Sequence, residues 1–320
     1  MPITRNQVAK LANVSSATVS RVFNNPLSVS PLLRDAVLQA ATELGYTPNK
    51  AAALLRRKGT GVLAFVELEK GGRPYYWGDL ASFDWFFGRS IRGVQDSLKD
   101  SSWQLRFYRI RTKQELEAIE GQCDGILGYD IDAQEEVDLF AGIGVPYVLS
   151  HHLNRGAAPS VVTTDNHYGG VLQAEYLIGQ GCRRPLYITG YLKSVVPHQQ
   201  RLEGFLSLFP DSLVVETEVG SPDAITPILA RVLQEERLGT IDSIAAVNDL
   251  TLFELLLKSR TSLPSVGYDA SPLHKLFNGS LASVDIQSGE IYRMATLELI
   301  SLIGGGQPHP RVVLPRLVEL

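Results

Sequence analysis

From Val62 onward the chain alternates short apolar runs with amphipathic stretches of helical period, and this alternation restricts its body to a small set of folds. Val62-Leu63-Ala64-Phe65-Val66, Leu105-Arg106-Phe107-Tyr108, Gly125-Ile126-Leu127-Gly128 and Pro146-Tyr147-Val148-Leu149 read as strands. Helical segments near 88–99, 113–120 and 133–141 separate them. The pattern repeats with Val161-Val162-Thr163-Thr164, a helix near 167–179, Leu186-Tyr187-Ile188-Thr189 and a helix near 197–207. Further strands fit 214–219, 243–247 and 265–268. Strands alternating with helices build parallel, doubly wound sheets. About 260 residues of this pattern suffice for two such subdomains with a cleft between them. Ligands of such sheets bind beyond the carboxyl ends of the strands.

The first 60 residues are different in charge. They hold eight Lys and Arg against Asp35 and Glu43, a net +6, whereas the remainder holds 22 basic and 32 acidic groups, a net −10. A basic head on an acidic body suits a protein that meets a polyanion at one end. The head is also helical throughout. Thr4-Arg5-Asn6-Gln7 is a capping box, and Val8, Ala9, Leu11 and Ala12 form the apolar stripe that follows. Ser15 can cap a second helix, Ser16 to about Phe23, buried through Val19, Val22 and Phe23. A third opens at Ser30-Pro31 and ends at Gly45. Three such helices make a helix-turn-helix whose short second helix can enter a major groove.

The wording of that second helix is more specific than its shape. Val14-Ser15-Ser16-Ala17-Thr18-Val19-Ser20-Arg21-Val22-Phe23-Asn24 resembles the recognition helix of the lac-repressor/galactose-repressor (LacI/GalR) family of bacterial transcription regulators. Val8-Ala9, Leu44-Gly45-Tyr46-Thr47-Pro48-Asn49 and Lys50-Ala51-Ala52-Ala53-Leu54-Leu55-Arg56-Arg57 fall at the spacing of that family. The resemblance implies base contacts from Ser16, Ala17 and Arg21, and phosphate contacts from Thr4, Thr18, Ser20, Asn24 and Arg56. It also implies a hinge that is helical on operator DNA, with Leu55 wedging into the minor groove. The chemistry agrees. A guanidinium at Arg21 can bond the N7 and O6 of one guanine, and an apolar wedge can unstack a base step.

The body resembles the periplasmic-binding-protein-type effector domain of the same family. The expected fold class is therefore an all-α helix-turn-helix head on an α/β body of two doubly wound parallel-sheet subdomains. The expected organisation is a DNA-binding domain over 1–48, a hinge over 49–59 and an effector and dimerisation domain over 60–320. Within the last, one subdomain covers about 60–155 plus 286–305 and the other about 156–285. Arg201-Leu202-Glu203-Gly204-Phe205, Asn248-Asp249 and Gly267-Tyr268-Asp269 match landmarks of sugar-responsive relatives. The resemblance makes Arg201, Asn248 and Asp269 effector ligands. Asn248 and Asp269 also suit a helix or turn cap, and Arg201 a surface ion pair.

Two features depart from the family pattern. Residues 75–87 hold seven of the chain's 26 aromatic side chains, Trp85 and Phe86 among them. These two can stack on an apolar sugar face, or the cluster can pack on itself or across a dimer interface. Ser150-His151-His152 replaces an aspartate-containing triplet, which makes His151 a further candidate for polar contact with the effector.

The reading is a cytoplasmic, homodimeric repressor of a carbohydrate-related operon, with operator DNA and a sugar or sugar derivative as partners. The alternative is a regulator answering to a nucleobase, a nucleoside or a protein corepressor. No cofactor or metal is expected, since Cys123 and Cys182 stand far apart without a CxxC or a Cys/His cluster. No membrane partner is expected, because no apolar run approaches the roughly 18–20 residues needed to span a bilayer. An enzyme is not expected either. There is no GxGxxG after Val66, no P-loop and no GxSxG.

Overall fold

A computed structural model of the chain describes residues 3–24, 26, 29–46, 59–69, 84–131, 133–151, 160–190, 192–193, 195–219, 225–273, 277 and 281–319. Thr4 opens the first helix as its capping box requires. Its backbone N–H donates to the Gln7 side chain at 2.7 Å over α1 (Arg5–Leu11). Ser15 caps α2 (Ser16–Asn24), its hydroxyl accepting from the Thr18 N–H at 3.0 Å. α3 (Pro31–Leu44) starts on a proline and stops at Gly45, which takes the left-handed φ of +63° that a side chain would resist. Val8, Val19, Val22 and Val37 are buried where the three helices meet.

The body begins at a tether. The Asp124 carboxylate accepts from the Thr60 N–H (2.6 Å), the Thr60 hydroxyl (2.9 Å) and the Gly61 N–H (2.9 Å). From there the chain runs through β1 (Val62–Leu68), α4 (Asp84–Leu98), β2 (Gln104–Ile110), α5 (Lys113–Glu117), β3 (Gly125–Ile131), α6 (Gln134–Leu139), β4 (Tyr147–His151) and β5 (Val161–Thr164). It continues through α7 (Asn166–Gly179), β6 (Pro185–Thr189), α8 (Val196–Leu206), β7 (Leu213–Glu216), α9 (Thr226–Leu238), β8 (Ser243–Ala246), α10 (Asp249–Ser259) and β9 (Ser265–Tyr268). β10 (Leu281–Asp285), α11 (Ser288–Ile303), β11 (Arg311–Val313) and β12 (Arg316–Glu319) complete it.

Among the described residues the strands form two six-stranded sheets. The first has the order β11-β5-β4-β3-β1-β2 and is parallel throughout. The second has the order β12-β10-β9-β8-β6-β7 and is parallel except for the β10/β12 pair. β1, β3, β6 and β8 are buried almost continuously, as parallel strands covered by helices on both faces must be. Phe65 centres the aromatic core of the first sheet, with Phe87, Phe107, Tyr129 and Tyr292 at centroid distances of 5.9, 5.5, 5.2 and 5.9 Å.

The chain crosses between sheets three times: from β5 to α7, from β10 to α11 and from β11 to β12. The division expected near 155 therefore falls about ten residues later, since β5 pairs with β4 and β11 inside the first sheet. The three last strands were not expected. β10 is broken in composition by Ser283 and Asp285, and β11 is only three residues long. Among the described residues no helix is long and apolar enough to cross a membrane.

Candidate DNA interface and effector cleft

The outer face of α2 is built by helical spacing. Val19 and Val22 turn into the head core, which leaves Ala17 and Arg21, four residues apart, exposed on the other side. Ser16, Thr18 and Ser20 flank them, half-buried. Ser16 is held from the first helix, its hydroxyl accepting from Arg5 Nε at 2.7 Å. Sequence reasoning missed Arg5, an isolated helical arginine with no pattern of its own. The Thr4 hydroxyl donates to Gln7 at 2.9 Å, and the Thr18 hydroxyl pairs with that of Ser15 at 2.9 Å. Phosphate contacts from these two residues require those bonds to be exchanged. The side chain of Asn24, the hinge residues 49–58 and with them Leu55 and Arg56 lie outside the described residues.

In the second sheet's subdomain, two glycines bring Arg201 into place. A methyl group at Gly170 would lie 1.9 Å from the Arg201 carbonyl oxygen, and one at Gly204 would lie 1.9 Å from that of His167. α7 and α8 thus cross backbone to backbone. This crossing sets Arg201, only 3% exposed, against the first turn of α7. Its Nε donates to Asn166 Oδ1 (3.0 Å) and its Nη1 to the Val247 carbonyl (2.7 Å). Nη1 also lies 3.9 Å from Asp269 Oδ1, and the guanidinium carbon sits 3.7 Å over the Tyr268 ring. Arg201 Nη2 and Asn166 Nδ2 are buried and make no hydrogen bond that meets ordinary geometry among the described residues. Leaving such a group unpaired costs about 1–3 kcal/mol. Gathered at the carboxyl ends of β8 and β9, the unpaired groups are placed for a polar ligand that the chain itself does not supply.

Asp269 stands on a strained turn. It and Ala270 take φ of +94° and +49°, left-handed values that non-glycine residues adopt at a cost of about 1–3 kcal/mol each. Asp249 holds the turn from below. Its carboxylate accepts from the Ser271 N–H (2.6 Å) and the Ser283 hydroxyl (2.7 Å), and Ser283 Oγ in turn accepts from the Ala270 N–H (2.9 Å). Burial foremost, with the Asp269 charge beside it, pushes the Asp249 carboxyl well above the usual carboxylate range. Asn248 is the cap of α10, with Oδ1 accepting from the Thr251 N–H at 2.8 Å. His198 is buried beside Arg201 and donates from Nδ1 to the Gly190 carbonyl (2.7 Å). Burial, and then the Arg201 charge, lower its pKa to about 3, so the ring is neutral.

The structure brings Arg201, Asn248 and Asp269 to one place. It corrects Phe86, which is a core residue. Phe86 is 4% exposed, edge-on to Trp85 at 5.7 Å and 6.4 Å from Tyr129. Successive helical residues point about 100° apart, so Trp85 takes the rim while Phe86 takes the core. Trp85 is half-buried, and its Nε1 makes no hydrogen bond among the described residues. His151 closes β4 in register with Ile131 and Thr163, but its side chain lies outside the described residues, as do residues 70–83 of the aromatic loop. Asn166, Tyr268, Asp249 and His198 were not expected at the site. The available signals were the position of Asn166 directly after the helix cap Asp165 and that of Tyr268 directly before Asp269. Among the described residues no cluster of His, Cys, Asp or Glu could hold a metal ion.

Residues 5–49 match the family described as bacterial regulatory proteins, lacI family. Along its length the chain is 29% identical to the HTH-type transcriptional regulator CelR of Thermobifida fusca, over 97% of this chain and 95% of that regulator. It is 24% identical to the ribose operon repressor of Haemophilus influenzae, over 94% and 92%. A solved structure of a CelR–cellobiose complex superposes with a TM-score of 0.66 at 26% identity, covering 99% of both chains. The lac repressor dimer bound to operator superposes at 0.60 with 20% identity, covering 99% of this chain and 98% of that one, a likeness of fold. With the family's DNA-binding segment matched at its head and transcriptional regulators matching it along nearly its whole length, the chain is similar to bacterial transcriptional regulators of the lacI family.

Proposed function

We propose that the chain is a cytoplasmic, homodimeric repressor of a carbohydrate-related operon, released from or held on its operator by a saccharide bound between the two α/β subdomains. The observation that carries this reading is Arg201. A buried guanidinium with one nitrogen unpaired, beside a carboxylate on a strained turn, is costly unless something polar completes it. Polyols complete such a set. The carboxylate of Asp269 accepts from adjacent hydroxyls, Arg201 and Asn248 donate to ring and hydroxyl oxygens, and Trp85 covers an apolar sugar face. A similar regulator solved in complex with cellobiose and a similar ribose operon repressor support the class of ligand.

In the head, Arg21 reads a guanine while Ser16 and Ala17 contact base edges, and Thr4, Thr18, Ser20, Asn24 and Arg56 fix register on phosphates. Leu55, in the hinge over 49–59, wedges the centre of the site. The ligand acts by binding one arrangement of the subdomains better than another. Selection from a random duplex pool with the full chain tests the DNA side. The expected result is an enriched pseudo-palindrome with two half-sites; a pool without enrichment would overturn the repressor reading.

A further inference from the structure

Arg89 of the first subdomain reaches the turn of Asp269 in the second. Arg89, on α4, donates from Nη1 to the Asp269 carbonyl oxygen at 3.5 Å, and the same nitrogen lies 4.0 Å from Asp285 Oδ1. Its guanidinium carbon stands 5.0 Å over the Trp85 ring, one helical turn earlier. Asp285 is the last residue of β10, where the chain leaves the second sheet. Its carboxylate also accepts from the Gln287 N–H (2.8 Å) on its own crossing and from Arg316 Nη2 (3.2 Å) at the start of β12. Gln287 Nε2 donates to the Leu314 carbonyl (2.5 Å), binding the two crossings together. One acid therefore ties two of the three connections, and Arg89 ties both that acid and the backbone of Asp269 to α4.

We propose that Arg89 is a positioning residue that fixes the angle between the two subdomains, acting through Asp285 at the crossings and through the Asp269 carbonyl at the cleft. The geometry suits the task. Stacked over Trp85, the guanidinium is only about one third exposed, so its bonds are less screened than those of a free surface arginine. A ligand that moves the Asp269 turn must move the Arg89 contact with it. The consequence for regulation rests on the effector reading above; the positioning role does not.

Paired spin labels measure the angle without any ligand. Glu117→Cys on α5 and Gln234→Cys on α9 place one exposed label in each subdomain, and the native Cys123 and Cys182 are buried. In the full chain, Arg89→Met should about double the width of the inter-label distance distribution, or move its mean, as expected when a fixed hinge is freed. Arg89→Lys should restore part of the order, and Arg92→Met, on the exposed side of the same helix, should leave it unchanged. Superimposable distributions for wild type and Arg89→Met would overturn the proposal, even if the variant melts lower, since a role confined to α4 changes stability and not the distance. Failure of every sugar to bind would sink the effector reading and leave this distance result intact.

Discussion

The Arg201 guanidinium lies face-on over the Tyr268 ring, 3.7 Å from its centroid, while its edge donates to Asn166 and the Val247 carbonyl. Stacking fixes the plane of the fork and the two hydrogen bonds fix its rotation, so the unpaired Nη2 has one direction left. Arginine is suited to this in a way that lysine is not, because only a planar fork can stack and donate at once. Arg201→Lys should weaken binding of any polyol effector at least tenfold by calorimetric titration, roughly the worth of one lost buried hydrogen bond to a charged group. An unchanged affinity would remove Arg201 from the ligand set.

The α7/α8 crossing gives a structural prediction. Gly170→Ala places a methyl group against the Arg201 carbonyl, where backbone and not a flexible side chain must yield. Overpacking of this kind costs about 1–3 kcal/mol, with more expected here because the clash is with backbone. Denaturant unfolding of the variant should show that loss with the m-value unchanged. Gly179→Ala, on the same helix with open space around it, should cost nothing of the sort.

Much of this fold was legible, for identifiable reasons. Ser30-Pro31 and Gly45 punctuate a helix through fixed backbone preferences, and their effect is local. β5 and β9 have the expected bounds because each is a short apolar run cut off by a polar cap or turn. Trp85 and Phe86 could not be separated, since an aromatic pair in sequence gives no sign of which member faces the core. Tyr268 reads as a strand core residue and is one; only the stack of Arg201, from a helix some 67 positions earlier, makes it part of the site. β10 hides its strand character because Ser283 and Asp285 face bonding partners in distant elements.

His198 predicts a pH dependence of stability. Unfolded, it takes up a proton below about 6.5; folded, it stays neutral down to about 3. Between these values the unfolded chain binds more protons, so this residue's contribution rises with pH, by at most about 1.4 kcal/mol per unit, and is lost as pH falls below 6.5. His198→Gln can keep a donor to the Gly190 carbonyl and removes the titration. The stability difference, wild type minus variant, should climb between about pH 4 and pH 6.5 and level off above it. A difference that does not vary over that range would show that the ring is charged, or exposed, in the folded chain.

Arg21 is exposed on the outer face of α2, opposite the buried Val22. Arg21→Ala should cost about 1–3 kcal/mol in operator affinity and relax the preference at one base pair, leaving binding to random duplex nearly as before. Repeating the selection with the variant checks this, and an unaltered sequence preference would take Arg21 out of the base-reading set.

Thermal unfolding of the full chain against cellobiose, ribose, other sugars, sugar phosphates, nucleosides and purines tests the regulatory reading most directly. A saccharide should raise the melting temperature, adding roughly 2.7 kcal/mol of stability at about 100 times its dissociation constant. The rise should vanish in Asp269→Asn, which tolerates the left-handed turn but loses the acceptor charge. A response to nucleosides or purines alone, or a sugar response that survives Asp269→Asn, would contradict a saccharide held in this cleft.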